Sequence, residues 1–368
     1  MRRYIRNLDW ILILTVFLLT GVGLVLIASA THTEALRTGV NYFVQRQGLF
    51  LSVDVLLVIL LLRLDYHVLK QVALPLYVIT LILLLGVMFF GHSTMGAQRW
   101  IRLGPVIFQP SEFSKVFIIV CLAAFLDKQA GSLEHWKEYL PAGLFLLAPF
   151  VLVLRQPDLG TALVFGAIGF SMFWVCGFKT RWIAWMTGVL ICLSPLIWHF
   201  LHEYQRNRIR VFLNPELDPF GAGYHVIQSK IAIGSGLLLG KGWMQGTQSQ
   251  LNFLPENHTD FIFAVAGEEF GFIGAIAVLG LYIFLVTRII LVAIRSENTF
   301  GYLVCTGVAA MFIIQIIENI GMCLGVLPVI GITLPFLSYG GSSALSTYIA
   351  IGLVLSVSTH KERTFFGS

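Results

Sequence analysis

LPENHTDFIFAVAGEEFGF, residues Leu254–Phe272, is the stretch where a polar segment turns into an apolar helix. Asp260 stands on the boundary, with Glu256, Asn257, His258 and Thr259 on the wet side and Phe261, Ile262 and Phe263 on the apolar side. A carboxylate at the mouth of a membrane helix is costly unless it has a partner or a task. It has two readings. Thr259 or Asp260 caps the helix by accepting from its first free N–H groups, or the carboxylate also does chemistry.

The surrounding composition makes the helix a membrane helix. Of the 368 residues, 57% are hydrophobic and 12% charged, and the mean hydropathy is +0.84. Apolar runs recur near residues 9–30, 48–62, 72–90, 110–126, 140–154, 161–177, 182–202, 261–286, 300–322 and 341–357. Runs of roughly 20 apolar residues read as membrane spans. The expected fold is therefore all-α: a polytopic integral membrane protein with ten transmembrane helices. One large extracytoplasmic loop covers about residues 203–260, and no separate soluble domain is present. The net charge of +5 is spread over short loops and excludes nothing except a concentrated basic face, so no nucleic-acid partner is expected.

Ten crossings put both termini on one side. The short segments at that side hold Arg2, Arg3, Arg6, Arg63, Lys70, Lys128, Lys137, Lys179, Arg181, Arg288, Arg295, Lys361 and Arg363. Basic residues in short loops mark the cytoplasmic face, so both termini are expected in the cytoplasm and residues 203–260 outside. The first run follows three arginines and precedes Ala28-Ser29-Ala30, like a signal peptide. It is longer than the usual apolar region of one, so it reads as an uncleaved first helix. The cysteines Cys121, Cys176, Cys192, Cys305 and Cys323 show no metal spacing and read as small core residues. Pro141, Pro149 and Pro157 punctuate the short fifth run and are expected to bend it. Gly234-Ser235-Gly236 and Gly240-Lys241-Gly242 superficially suggest a phosphate loop, but they match no nucleotide-binding spacing.

Several charges fall at the outer ends of distant spans: Arg99 and Arg102, Glu112 and Lys115, Asp158, and Asp260. Each has a plain alternative. Glu112 and Lys115 share a helix face and can pair with each other. Asp158 can be a turn or cap residue, and the arginines can anchor the interface. Glu268, Glu269 and Glu318 lie deeper and need partners or water. His199 and His202 have helical spacing but no further ligand nearby. Charges gathered at one membrane face suit chemistry on a lipid-linked head group. A transport path would place them near the midplane.

The motifs carry a resemblance. They are Gly96-Ala-Gln-Arg99-Trp100-Ile101, Gln109-Pro-Ser-Glu112-Phe-Ser-Lys115, Gln156-Pro-Asp158-Leu-Gly-Thr161 and Asn207-Arg208-Ile-Arg210. Further along come Gly246-Thr-Gln-Ser-Gln250, Leu254-Pro-Glu-Asn-His-Thr-Asp260-Phe261 and Pro335-Phe-Leu-Ser-Tyr-Gly-Gly-Ser-Ser343. In this order the chain resembles the SEDS family (shape, elongation, division and sporulation), on its elongation-type, RodA-like branch. The resemblance implies ten helices and polymerisation of lipid II into glycan strands at the outer face of the cytoplasmic membrane. It implies a class B penicillin-binding protein as transpeptidase partner, with MreC- and MreD-like proteins in the same elongation complex. It matches the family's essential aspartate to Asp260.

On that resemblance Asp260 is expected to be the general base that activates a sugar hydroxyl. Lys115, Arg99, Arg102, Arg208 and Arg210 are candidates to meet the pyrophosphate leaving group, with Glu112 and Asp158 beside them. A divalent cation, magnesium or manganese, could share that role through oxygen ligands such as Asp158 and Asp260, although the sequence holds no compact metal motif. Two other readings are a lipid II flippase, which would depend on Glu268, Glu269 and Glu318, and a non-catalytic scaffold for the transpeptidase.

Overall fold

Apolar runs become helices of 16 to 33 residues, because in a bilayer only a helix pairs its own backbone N–H and C=O groups. The structure, a computed structural model, describes residues 8–94, 97–104, 106–129, 136–201, 203–218 and 221–360. Arg2, Arg3, Arg6, Gly96, His202, Lys361 and Arg363 lie outside them.

The helices of eleven residues or more are α1 (Trp10–Ala30), α2 (Tyr42–Arg63), α3 (Ala73–Phe90), α4 (Pro110–Lys128), α5 (Leu140–Arg155) and α6 (Leu159–Val175). They continue with α7 (Thr180–Phe200), α8 (Glu203–Leu213), α9 (Ala222–Ser235), α10 (Ile262–Ile294), α11 (Thr299–Cys323) and α12 (Gly341–Thr359). Each of the ten expected spans coincides with one of these helices. Among the described residues, seven helices are long and apolar enough to cross a membrane. The protein is a multi-pass membrane protein. α4 carries Glu112, Lys115, Asp127 and Lys128, and α6 has only 17 residues.

One contiguous apolar core joins the helices. α11 and α12 are mostly buried, with α10, α6 and α4 around α11 and α2 against α12. α1 runs antiparallel to α10 and is tied to it at both ends. Asp9 caps α1 through Leu12 N and pairs with Arg288 at 2.6 Å. Twenty residues on, the Ser29 hydroxyl donates to Glu269.

Four expectations change. Residues 92–108 form a three-stranded antiparallel sheet, β1 (His92–Thr94), β2 (Ala97–Leu103) and β3 (Val106–Phe108), where the sequence reading had only a loop. Gly104 takes φ +63 in the β2–β3 turn, a conformation open to glycine. The large loop at 203–260 is not irregular: α8, α9 and a short turn of helix at Thr247–Gln250 occupy much of it. The cysteines are free, but Cys192 is exposed. It lies on α7, where Trp185, Leu193, Leu196 and Trp198 are exposed too, so this position faces the apolar surroundings rather than the core. α5 runs unbroken through Pro149, with Pro141 in its first turn, where the missing N–H is harmless.

Candidate active site

The chain reaches Asp260 through consecutive turns. Thr259 N and Phe261 N both donate to Glu256 O at 3.2 Å, and the Thr259 hydroxyl donates to Glu256 Oε2 at 2.8 Å. Phe261 is the N-cap of α10, with no side-chain cap bond. The capping reading of Thr259 and Asp260 is therefore overturned. Thr259 turns back onto Glu256. The Asp260 carboxylate points instead toward Gly331, where an added Cβ would come within 3.1 Å of Oδ2.

The backbone holds Asp260 in place from the other side. Asn319 on α11 donates through Nδ2 to Asp260 O at 2.8 Å and to Ile332 O at 2.7 Å. The segment before α12 is stitched to the same turn. Ser338 Oγ donates to Thr259 O at 2.6 Å, and Tyr339 N donates to His258 O at 2.9 Å. Ile332, Leu334, Pro335, Phe336 and Leu337 are buried, which satisfies the rule that non-helical backbone at membrane depth is enclosed by protein. His258 packs between Phe43 and Tyr339, and its burial lowers its pKa.

Two cations lie within electrostatic range of Asp260. Arg99 on β2 donates to Pro157 O at 2.5 Å and stands 3.5 Å from Asp158 Oδ1. Arg208 on α8 donates to Ile330 O at 2.7 Å. Both pull the Asp260 pKa down, but burial and the Glu256 carboxylate outweigh them and push it up to about 6. Pro157, Leu159, Gln205, Arg208, Val329 and Ile330 line a narrow cleft beside this group.

Asp158 is the N-cap of α6. It accepts from Thr161 N at 3.2 Å and from the Thr161 hydroxyl at 2.9 Å. Its oxygens are thus engaged by Thr161 and Arg99. Among the described residues, no three His, Cys, Asp or Glu side chains gather closely enough to hold a metal ion.

Glu112 and Lys115 pair at 2.8 Å, one turn apart on α4. Ser346 on α12 donates to the other Glu112 oxygen at 3.1 Å. Lys115 is only 1% exposed, so nothing reaches its ammonium without rearrangement. Glu318 on α11 lies within electrostatic reach of Lys115 and Asp158, and both its oxygens are buried without a hydrogen-bond partner.

Arg102 and Arg210 are not drawn into this group. Successive strand residues face opposite sides, so Arg102 sits across β2 from Arg99, exposed. Helix residues two apart do not share a face. Arg210 accordingly pairs with Glu203 at 3.5 Å and lies over Trp198. Glu268 and Glu269 have structural partners instead. Glu268 takes Lys241 at 2.7 Å and the backbone N–H groups of Gln248 and Ser249, and Glu269 takes Ser29. The sequence reading set Glu256 on the wet side of Asp260 without giving it a role, and it missed Asn319 as a neighbour. Glu256 was visible in the opening stretch; Asn319, 59 residues away, carried no local signal.

The family model FtsW/RodA/SpoVE, described as cell cycle protein, matches residues 9–363. The peptidoglycan glycosyltransferase MrdB of Escherichia coli K12 is 45% identical over 288 residues, 78% of this chain and 78% of that protein. A probable peptidoglycan glycosyltransferase FtsW of Trichlorobacter lovleyi is 38% identical over 356 residues, 95% of this chain and 93% of its own. Among solved structures, the fold is similar to a chain of a peptidoglycan synthase complex that coordinates polymerization and crosslinking. There the TM-score is 0.82 and the identity 34%, over 96% of this chain and 99% of that one. The crystal structure of the rod shape determining protein RodA of Thermus thermophilus aligns with a TM-score of 0.73 and 30% identity, covering 97% of this chain and 98% of that one.

Proposed function

From the premise that this chain belongs to the FtsW/RodA/SpoVE family, we propose that it is a peptidoglycan glycosyltransferase of the elongation type. It polymerises lipid II, and Asp260 is its general base. The whole chain acts as one membrane domain in the cytoplasmic membrane. Both termini lie in the cytoplasm, so Asp260 and residues 203–260 face outward. The partner is a class B penicillin-binding protein, with MreC- and MreD-like proteins in the same complex. The similarity to a chain of a peptidoglycan synthase complex supports the first of these partners.

The observation that carries the reading is the state of Asp260. Its carboxylate is spared from capping, raised to about 6, and faced by Arg99 and Arg208. A base with a pKa near the working pH is ionised and still takes a proton readily. In the reaction, the C4 hydroxyl of one GlcNAc attacks C1 of a MurNAc and passes its proton to Asp260. The C1–O bond to undecaprenyl pyrophosphate breaks, and the linkage inverts from α to β. The leaving pyrophosphate gains negative charge beside Arg99 and Arg208, where fixed positive charge stabilises it. Glu268 is engaged by Lys241 and Glu269 meets Ser29 through one oxygen, which weighs against a flippase that works through these two, while Glu318, the third residue of that reading, has no hydrogen-bond partner among the described residues.

The test uses the purified protein, with and without its transpeptidase, given labelled lipid II. Glycan ladders are expected from the parent and none from folded Asp260→Asn. Ladders at the parental rate from that variant remove Asp260 as base. No ladders from the parent in either state remove the enzymatic reading.

A further inference from the structure

The glycine-rich stretch Gly234–Gly242 has no role in the chemistry at Asp260, yet it is tied into the membrane helices. α10 breaks its helical conformation at Gly271 (φ 66, ψ −162). Around the break the backbone exchanges hydrogen bonds with this stretch. Lys241 N and Gly242 N donate to Glu268 O and Glu269 O at 3.0 Å, while Phe272 N and Ile273 N donate to Leu237 O and Leu238 O at 2.8 and 3.2 Å. The approach is close enough that a Cβ at Gly240 would meet Glu269 O at 2.1 Å.

α1 gives the depth of this contact. Asp9 meets Arg288 and Ser29 meets Glu269. The segments Asp9–Ser29 and Glu269–Arg288 therefore run side by side, each about 30 Å long at 1.5 Å per residue, which is the thickness of the hydrocarbon layer. Exposed apolar side chains on α1 run from Trp10 to Val25, and on α10 from Phe272 to Ile294. The loop meets α10 at Phe272 and Ile273 and α1 at Val25, whose carbonyl accepts from Trp243 Nε1 at 3.3 Å. It thus lies at the upper edge of the lipid-facing band, inside the level of Ser29 and Glu269.

At that level Leu237, Leu238 and Leu239 are 78%, 65% and 78% exposed, with Trp243 half exposed beside them. Lys241, the one charge in the turn, folds back onto Glu268 and Thr247. We propose that Gly236–Trp243 is a wedge inserted among the acyl chains of the leaflet nearest Asp260, with the three leucines as its lipid-contacting tip. Three features agree. Non-helical backbone persists in a bilayer only when its polar groups are paired within the protein, and here the freed groups of the α10 break are the partners. The charge is turned inward. A tryptophan marks the boundary, where such rings prefer to lie. The wedge moors the long segment before Asp260 to the membrane through α1 and α10 together. It rests on the helices spanning the bilayer and not on the chemistry proposed for Asp260.

The test is a spin label in vesicles of phosphatidylcholine and phosphatidylglycerol. Cys192 is first replaced by Ala, and Leu238→Cys carries the label in the full chain. Ile276→Cys on the lipid face of α10 and Glu216→Cys on the outward segment serve as references. At 238, collisions with oxygen are expected to exceed those with a nickel chelate, as at 276, and the ratio is expected to invert at 216. If 238 behaves like 216, the tip is in water and the proposal fails. If both collision rates vanish at 238 in the protein alone, a second protein copy covers the tip and the lipid assignment fails. Should Leu238→Cys not fold, Leu239→Cys gives the same readout. None of these outcomes depends on polymerase activity.

Discussion

At the scale of single residues, Asp260 sets the pH behaviour. Its carboxyl is held near pKa 6 against an ordinary value of 3.8. As a base it works only when ionised. Glycan-ladder rates should therefore rise with pH along an acid limb with its midpoint near 6, and Arg208→Ala should move that midpoint upward by removing a cation that favours the carboxylate. The same shift bears on stability. The folded state binds the proton more tightly than the unfolded state, so this residue opposes folding above pH 6, and the penalty fades as pH falls through 6 toward 4. Asp260→Asn should melt at or above the parent at pH 7.5 while making no polymer; a lower melting temperature would mark a structural residue. Glu112 and Lys115 behave differently because they are buried. The exchange of the two would set a glutamate at 115 toward Glu318, so it should both melt lower and stay inactive. The informative variant is Glu112→Gln with Lys115→Met. Removing a buried ion pair whole is often near neutral, whereas breaking it costs about 3–5 kcal/mol. The double variant should recover the melting temperature lost by Lys115→Met alone. If Lys115 serves the pyrophosphate, polymerisation stays lost; recovered ladders would make the pair purely structural.

At the scale of elements, the break in α10 decides how the long segment is held. Gly271 adopts a region of backbone space essentially reserved for glycine, and a Cβ there would meet Gly240 N at 2.3 Å. Gly271→Ala should therefore cost more than the roughly 1–3 kcal/mol of backbone strain alone. Thermal unfolding in detergent measures this, and a change within error would mean the break is not tied to the loop. α6 shows the opposite case, where Asp158 caps the helix and also meets Arg99. Its two roles explain why sequence spacing alone left it between a cap and a site residue.

At the scale of the whole molecule, orientation remains a matter of charge. A reporter fused after Arg363 should report the cytoplasm and one inserted near Gly221 the outside. Both on the same side would break the ten-span arrangement. The core is consistent with that arrangement: Asp9 and Arg288 meet at one end of the bundle, while Ser29 and Glu269 meet at the other.

Residue order by itself determined the helices, since runs of apolar residues long enough to cross a bilayer leave the backbone no other way to satisfy itself. It also placed Asp260 at a helix mouth, because a boundary between polar and apolar sequence is local. What only the tertiary structure decided was which charges meet. Arg99 and Arg208 come within electrostatic range of Asp260, while Arg102 and Arg210, close to them in sequence, face away, because strand and helix periodicity turns near neighbours to opposite sides. The sheet at 92–108, the helices within 203–260 and the grip of Asn319 on Asp260 were equally hidden. Each depends on partners brought together across the bundle, and short segments take their conformation from those partners more than from their own composition.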